Sequence, residues 1–177
     1  MLIINLAVVD LFATGLFCPL VAYALATRRW PMDANSCVLA GVLFSHNIGV
    51  SVLTNFAIAL NRLLYVERTF TCAEKLCSTR AIIAGIAVIW LSVFLLLVAP
   101  YLTGFIGIGY HPVYNFCVVS FQYTYADNWV IFYAYSYGLG LFIPFVVSFI
   151  CYSRVFAIVN RRKNFAKSER ARKRYIT

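Results

Sequence analysis

The residues able to do chemistry in this chain are few, and several lie inside long apolar runs. Arg62 closes an almost uncharged run that begins near Cys37; 25 helical steps of about 1.5 Å make about 37 Å, slightly more than the ~30 Å hydrocarbon core of a bilayer. The cysteine and the arginine then sit at opposite membrane faces, and a cation kept at the inner mouth of a spanning helix marks a working part rather than packing. Asp10 lies in the middle third of another apolar run, where a carboxylate must protonate, pair or hold a cation, which makes it a candidate cation or proton site. Asn47, Ser51, Asn55 and Arg62 follow steps of four, four and seven, a single helical stripe. Lipid satisfies neither amides nor hydroxyls, so the stripe is expected to face neighbouring helices, and for Asn55 an interhelical hydrogen bond is explanation enough. His46 lies off the stripe and reads as a hydrogen-bonded packing residue.

The elements that must position these residues are membrane helices. With 63% hydrophobic and 12% charged residues, 177 residues carry too little polar surface to cover a soluble globule. Four apolar spans are predicted, 2–26, 38–66, 81–103 and 129–159, each longer than the ~20 residues that crossing requires. No strict apolar and polar alternation suggests a β-barrel, and Asp10 and Pro19 inside the first span, with no basic residues before it, argue against a cleaved signal peptide. Pro19, Pro100 and Pro144 read as kinks of the kind that helix bundles tolerate.

Charge sets the expected orientation. The loop after the second span holds Arg68, Lys75 and Arg80, and residues 161–177 hold eight Lys or Arg against Glu169, whereas 104–128 hold none. Both chain ends and the middle loop are therefore expected in the cytoplasm, with 28–36 and 104–128 outside; Arg28 and Arg29 dissent. The net charge of +9 is mostly this tail, suited to anionic lipid or an acidic protein surface rather than nucleic acid, either as a helical extension of the fourth span or as a solvated loop. Cys37 and Cys117 are the pair on the outer, oxidising side and can keep a disulfide. Cys72 and Cys77 read as free cytosolic thiols and Cys18 and Cys151 as small packing residues.

These residues carry a resemblance. Asn5 to Leu11 (NLAVVDL) resembles the second-helix signature of the rhodopsin-like (class A) G-protein-coupled receptors; Trp30 with Cys37 resembles their first outer loop and third-helix start. Asn61-Arg62-Leu63 stands where the family has acid-Arg-aromatic, Trp90 and Pro100 match the fourth helix, Cys117 the outer-loop partner of Cys37, and Pro144 with Tyr152 the fifth helix. Asn-Arg at this point, with Tyr114 before Cys117 and His111-Pro112 upstream, resembles the melatonin receptors, although Gly140 stands where those receptors have a histidine. The resemblance implies an all-α membrane fold comprising helices two to five of a seven-helix bundle, with helices one, six and seven outside these 177 residues, so that the segment is not expected to signal alone.

What the resemblance implies about function follows position by position. Phe44 occupies the place where amine receptors keep an aspartate, which disfavours a simple biogenic amine. Phe44, Ile48, Val119, Tyr133, Ser136, Tyr137 and Gly140 are the expected ligand pocket, suited to an indole, a lipid or another small neutral molecule; Trp30 and Trp129 read instead as interfacial anchors. Asp10, Asn47 and Ser51 match the family's sodium site, a bound sodium being the one ionic modulator implied and no other cofactor. Asn61, Arg62 and Tyr152 match the inner switch that meets a heterotrimeric G protein. The expected activity is ligand-driven population shift at the plasma membrane. No catalytic triad, zinc site or phosphate loop points to an enzyme. The rival reading, a transporter or channel segment, would also explain Asp10 and Arg62, but no internal repeat supports it.

Overall fold

A computed structural model describes residues 1–67, 78–104, 106–111, 113, 115–121, 138 and 140–176, with the side chains of 120–121 and 168–176 left aside. Among the described residues, four helical spans are long and apolar enough to cross a membrane. The first comprises α1 (Leu2–Phe12), a π-helical turn (Ala13–Phe17) and α2 (Cys18–Thr27). The second is α3 (Ala34–Glu67), the third α4 (Thr79–Leu102), and the fourth ends in α5 (Ile143–Ile176). Between α4 and α5 lies an antiparallel hairpin, β1 (Ile106–His111) with β2 (Phe116–Phe121), paired from Ile106↔Phe121 to His111↔Phe116.

The prolines explain the irregular turns. Proline has no N–H to give and its ring clashes with the carbonyl four residues back, so the turn before it widens. The π turn Ala13–Phe17 sits just ahead of Pro19, and a second at 140–142 just ahead of Pro144. Pro100 lies two residues from the end of α4, where few helical bonds remain to be lost.

α3 begins four residues earlier than the apolar run predicts. Asp33 supplies the reason: its carbonyl accepts from the Cys37 N–H, placing it as the cap of a first turn that starts ahead of the apolar run. α5 departs further, running past residue 159 to Ile176. No Gly or Pro follows Pro144, and Arg, Lys, Ala and Glu are good helix formers, so the basic tail takes the helical alternative in its backbone. Residues 129–137 of the fourth predicted span, including Trp129, lie outside the described residues.

The core lies where three spans meet. Val9 of α1, Val50 of α3 and Val93 of α4 are buried together, with Leu53 and Ile89 packed against them. Gly49 sits at that crossing: a Cβ there would come within 2.6 Å of Val93 Cγ1, so the α3–α4 approach requires glycine. Elsewhere the spans leave large apolar side chains exposed, as helices do when lipid and further helices are their solvent.

Candidate functional site

The end of the bundle expected to face outside is built around one covalent bond. Cys37 and Cys117 form the expected disulfide, tying β2 to the first turns of α3 with their Cα atoms 5.4 Å apart. One turn further along α3, Gly41 lets the hairpin lie flat on the helix: a Cβ there would meet Ile108 Cγ2 at 2.6 Å and the Cys117 carbonyl oxygen at 3.2 Å. The hairpin itself went unread in the sequence, although Ile106-Gly107-Ile108-Gly109 alternates with a period of two. Ile106 and Ile108 are its buried face. Its turn uses Asn115 at φ 50, a left-handed conformation that asparagine tolerates. The Tyr110 hydroxyl lies 3.0 Å from the Arg28 carbonyl and 3.1 Å from Asn115 Oδ1, fastening the hairpin to the end of α2.

Beneath the hairpin runs a chain of aromatic rings packed edge to face. Trp30 meets Phe116 at 5.6 Å, Phe116 meets Phe44 at 5.3 Å, Phe44 meets Phe17 at 5.5 Å and Phe17 meets Phe12 at 5.6 Å. Each contact has the geometry that aromatic quadrupoles favour. Phe44 is thus already engaged on two sides, leaving it half-buried. Ile48, one turn inward, is exposed, and Val119 is half-buried on β2 opposite Ile108. Gly140 lies in the π turn before Pro144, with nothing within 4 Å of its Cβ position among the described residues. Tyr133, Ser136 and Tyr137 lie outside the described residues; of the described pocket candidates, Phe44 packs against the hairpin and Val119 belongs to it. Trp30 is not merely a membrane anchor: its indole N–H donates to Ser36 Oγ at 3.1 Å and its ring packs on Phe116.

Deeper in the membrane the polar residues sort differently from the predicted stripe. Asn55 and Arg62 are exposed, Asn47 and Ser51 half-buried, while Val50, Thr54 and Ile58, the adjacent stripe, are buried. Asn55 makes no interhelical bond among the described residues; its amide donates to the Ser51 carbonyl of its own helix at 3.1 Å. The interhelical polar contacts come instead from residues outside that stripe: Asn5, Thr54 and Trp90, for which no such contact was expected, and His46, which was expected to pack through a hydrogen bond. Asn5 Nδ2 donates to Thr54 Oγ1 at 2.9 Å, and its Oδ1 accepts from Trp90 Nε1 at 3.1 Å. His46 Nε2 lies 3.2 Å from the Trp90 carbonyl, its ring 5.3 Å from the Trp90 ring, the packing role expected of it. Asn5 bridges α3 and α4 because a carboxamide is at once donor and acceptor. An amide in an apolar run was the available signal.

The Asp10 carboxylate is exposed and has no hydrogen-bond or ion-pair partner among the described residues; neither Asn47 nor Ser51 reaches it there. No group of three or more His, Cys, Asp or Glu side chains that could hold a metal ion occurs among the described residues. Cys151 is buried as expected, but Cys18 is exposed on the outer side of the π turn. Cys72 and Cys77 lie outside the described residues.

The opposite end, expected to face the cytoplasm, brings two predicted residues together. The Arg62 guanidinium lies 5.8 Å from the centre of the Tyr152 ring, within cation–π range. Asn61 is half-buried, and neither its side chain nor that of Arg62 finds a carboxylate among the described residues. A contact the sequence did not suggest lies just below, where Arg162 Nη2 of α5 donates to the Val66 carbonyl of α3 at 2.9 Å.

The model of the 7 transmembrane receptor (rhodopsin family) matches residues 1–176, nearly the whole chain. The chain belongs to that family. This receptor segment is 27% identical over 167 residues to the melatonin receptor type 1B-B of Danio rerio, covering 94% of the segment and 46% of that receptor. It is 37% identical over 101 residues to the human neuropeptide FF receptor 1, covering 56% and 22% respectively. It is 24% identical over 169 residues to the D(2) dopamine receptor A of Xenopus laevis, covering 96% and 35%. The segment spans less than half the length of each of these relatives.

Proposed function

We propose that this segment forms helices two to five of a plasma-membrane receptor that passes an extracellular ligand signal to a heterotrimeric G protein, with its basic end in the cytoplasm. The observation that carries the proposal is the placement of Tyr152 against Arg62 at the inner end of the same helix, α3, whose outer end is bound to the hairpin through Cys37 and Cys117. One rigid helix thus joins a ligand-facing end to an effector-facing end, and a shift of the outer packing is carried to the guanidinium. Catalysis has no part in this reading.

The ligand reading rests on Phe44. An aromatic ring wedged between Phe17 and Phe116 offers no counter-ion to an ammonium, so the pocket takes an apolar aromatic or lipid-like molecule, of which an indole such as melatonin is one case. Asp10, Asn47 and Ser51 are proposed to hold a sodium ion once the remaining helices enclose them; a carboxylate without a partner in an enclosed membrane site favours such a cation. Residues 161–174 are proposed to meet anionic lipid or the acidic face of the G protein.

The test is made in the complete receptor. Arg62→Ala is expected to lose nucleotide exchange while surface expression and ligand binding persist. Asn61→Asp, which adds an acid beside Arg62 and a charge-assisted restraint, is expected to lower basal exchange. Normal coupling by Arg62→Ala would reduce the arginine to an interfacial anchor and remove the effector half of the proposal.

A further inference from the structure

The last four carbonyls of a helix have no partner within it, and together they form the negative end of its dipole. α3 is described as far as Glu67 and carries no basic residue in the last turn of that length. The cation comes from another helix: Arg162 of α5, 96 residues away in sequence, donates its Nη2 to the Val66 carbonyl. Val66 lies one turn beyond Arg62, and Arg162 lies ten residues beyond Tyr152, about 15 Å along the helix axis. Side chains lean toward the N-terminus of their helix, so an extended guanidinium returns part of that distance to the level of the α3 end. The two helices are thus joined at two points, the Tyr152 ring beneath Arg62 and Arg162 on the Val66 carbonyl.

We propose that Arg162 is a positioning residue, a pin that fixes the rotational register of α5 against the inner end of α3 and so holds Tyr152 under Arg62. A rotation of α5 by one residue swings its side chains through about 100°, which breaks both contacts together. The pin uses the continuity of the helix past the apolar run: α5 must remain helical from Tyr152 to Arg162 for the two contacts to act as one. It also supplies a fixed link at a place where Asn61 gives Arg62 no acidic restraint. The consequence for signalling rests on the reading of Arg62 and Tyr152 as the inner switch; the pin itself does not.

The experiment measures register and coupling separately. In the full receptor reconstituted in nanodiscs, with its reactive cysteines replaced, spin labels are attached through Tyr65→Cys and Phe156→Cys, positions 68% and 69% exposed, and the distance between them is measured by pulsed electron resonance. Arg162→Ala is expected to broaden and lengthen the distance distribution, and Arg162→Lys, which retains a cationic donor, to keep it close to the original. Agonist-driven nucleotide exchange in Arg162→Ala is expected to fall about twofold to fivefold, the scale of an exposed charged contact. An Arg162→Ala distribution that superimposes on the parent overturns the pin, and a fall in exchange with distances unchanged does the same by making Arg162 a direct G-protein contact. Changed distances with normal exchange leave the pin standing and sink the switch reading of Arg62 and Tyr152.

Discussion

Gly41→Ala tests the geometry of the outer end most directly. The new Cβ would stand 2.6 Å from Ile108 Cγ2 and 3.2 Å from the carbonyl oxygen of Cys117. Ile108 can turn its methyl aside, but the Cys117 carbonyl is main chain and its residue is bonded to Cys37, one turn away on the same helix. The hairpin can neither slide nor lift freely, so the misfit falls in the usual overpacking range of about 1–3 kcal/mol. Alanine also gains helix propensity over glycine, by ~0.5–1 kcal/mol, which would mask part of the cost. Gly85→Ala removes that ambiguity, because Gly85 lies inside α4 with nothing within 4 Å of its Cβ position among the described residues. The gap between the two variants isolates the steric term. At roughly 2–4 °C per kcal/mol for a chain of this size, Gly41→Ala should unfold about 2–12 °C below Gly85→Ala in bilayer discs. Differential scanning fluorimetry of both variants reads the gap, and ligand binding should weaken alongside it, since β2 carries Val119. Equal melting temperatures would refute the close approach of hairpin and helix.

Three further outcomes follow from other parts of the molecule. Asn5→Ala orphans the Trp90 indole N–H and the buried Thr54 hydroxyl together; at ~0.6–1.7 kcal/mol for a polar contact in a membrane, stability should fall by about 1–3 kcal/mol, measured by steric-trap unfolding. In the complete receptor, Asp10→Asn should abolish the sodium dependence of agonist affinity; a retained sodium response would remove the site. Asp33 titrates outside the membrane, and its carboxyl is held below the usual range chiefly by the Ser36 hydroxyl, with main-chain N–H groups adding to it. Its folded value therefore lies below its unfolded one, so its contribution is present above the ordinary carboxylate range and is lost as pH falls through the folded value. Ser36→Ala should raise the Asp33 titration midpoint, as followed by carboxyl-carbon NMR, and an unmoved midpoint would clear Ser36 of the shift.

Residue order alone determined the membrane class, the long apolar spans, the receptor family and the Cys37–Cys117 disulfide of this protein. Those features depend on apolar length, on compartment chemistry and on a resemblance carried by isolated positions, all of which are local in sequence. Tertiary structure decided which stripe of α3 is packed. Steps of four place Asn47, Ser51 and Asn55 together, but the same period also joins Val50, Thr54 and Ile58, and only the positions of α1 and α4 select the second set for burial. The Asn5–Thr54 and Asn5–Trp90 bonds, the glycine contacts at Gly41 and Gly49, and the reach of Arg162 to Val66 were likewise invisible, since each depends on the distance between residues 44 to 96 apart in sequence. A polar group in an apolar run announces that it needs a partner. Which partner it finds is fixed by how the helices cross.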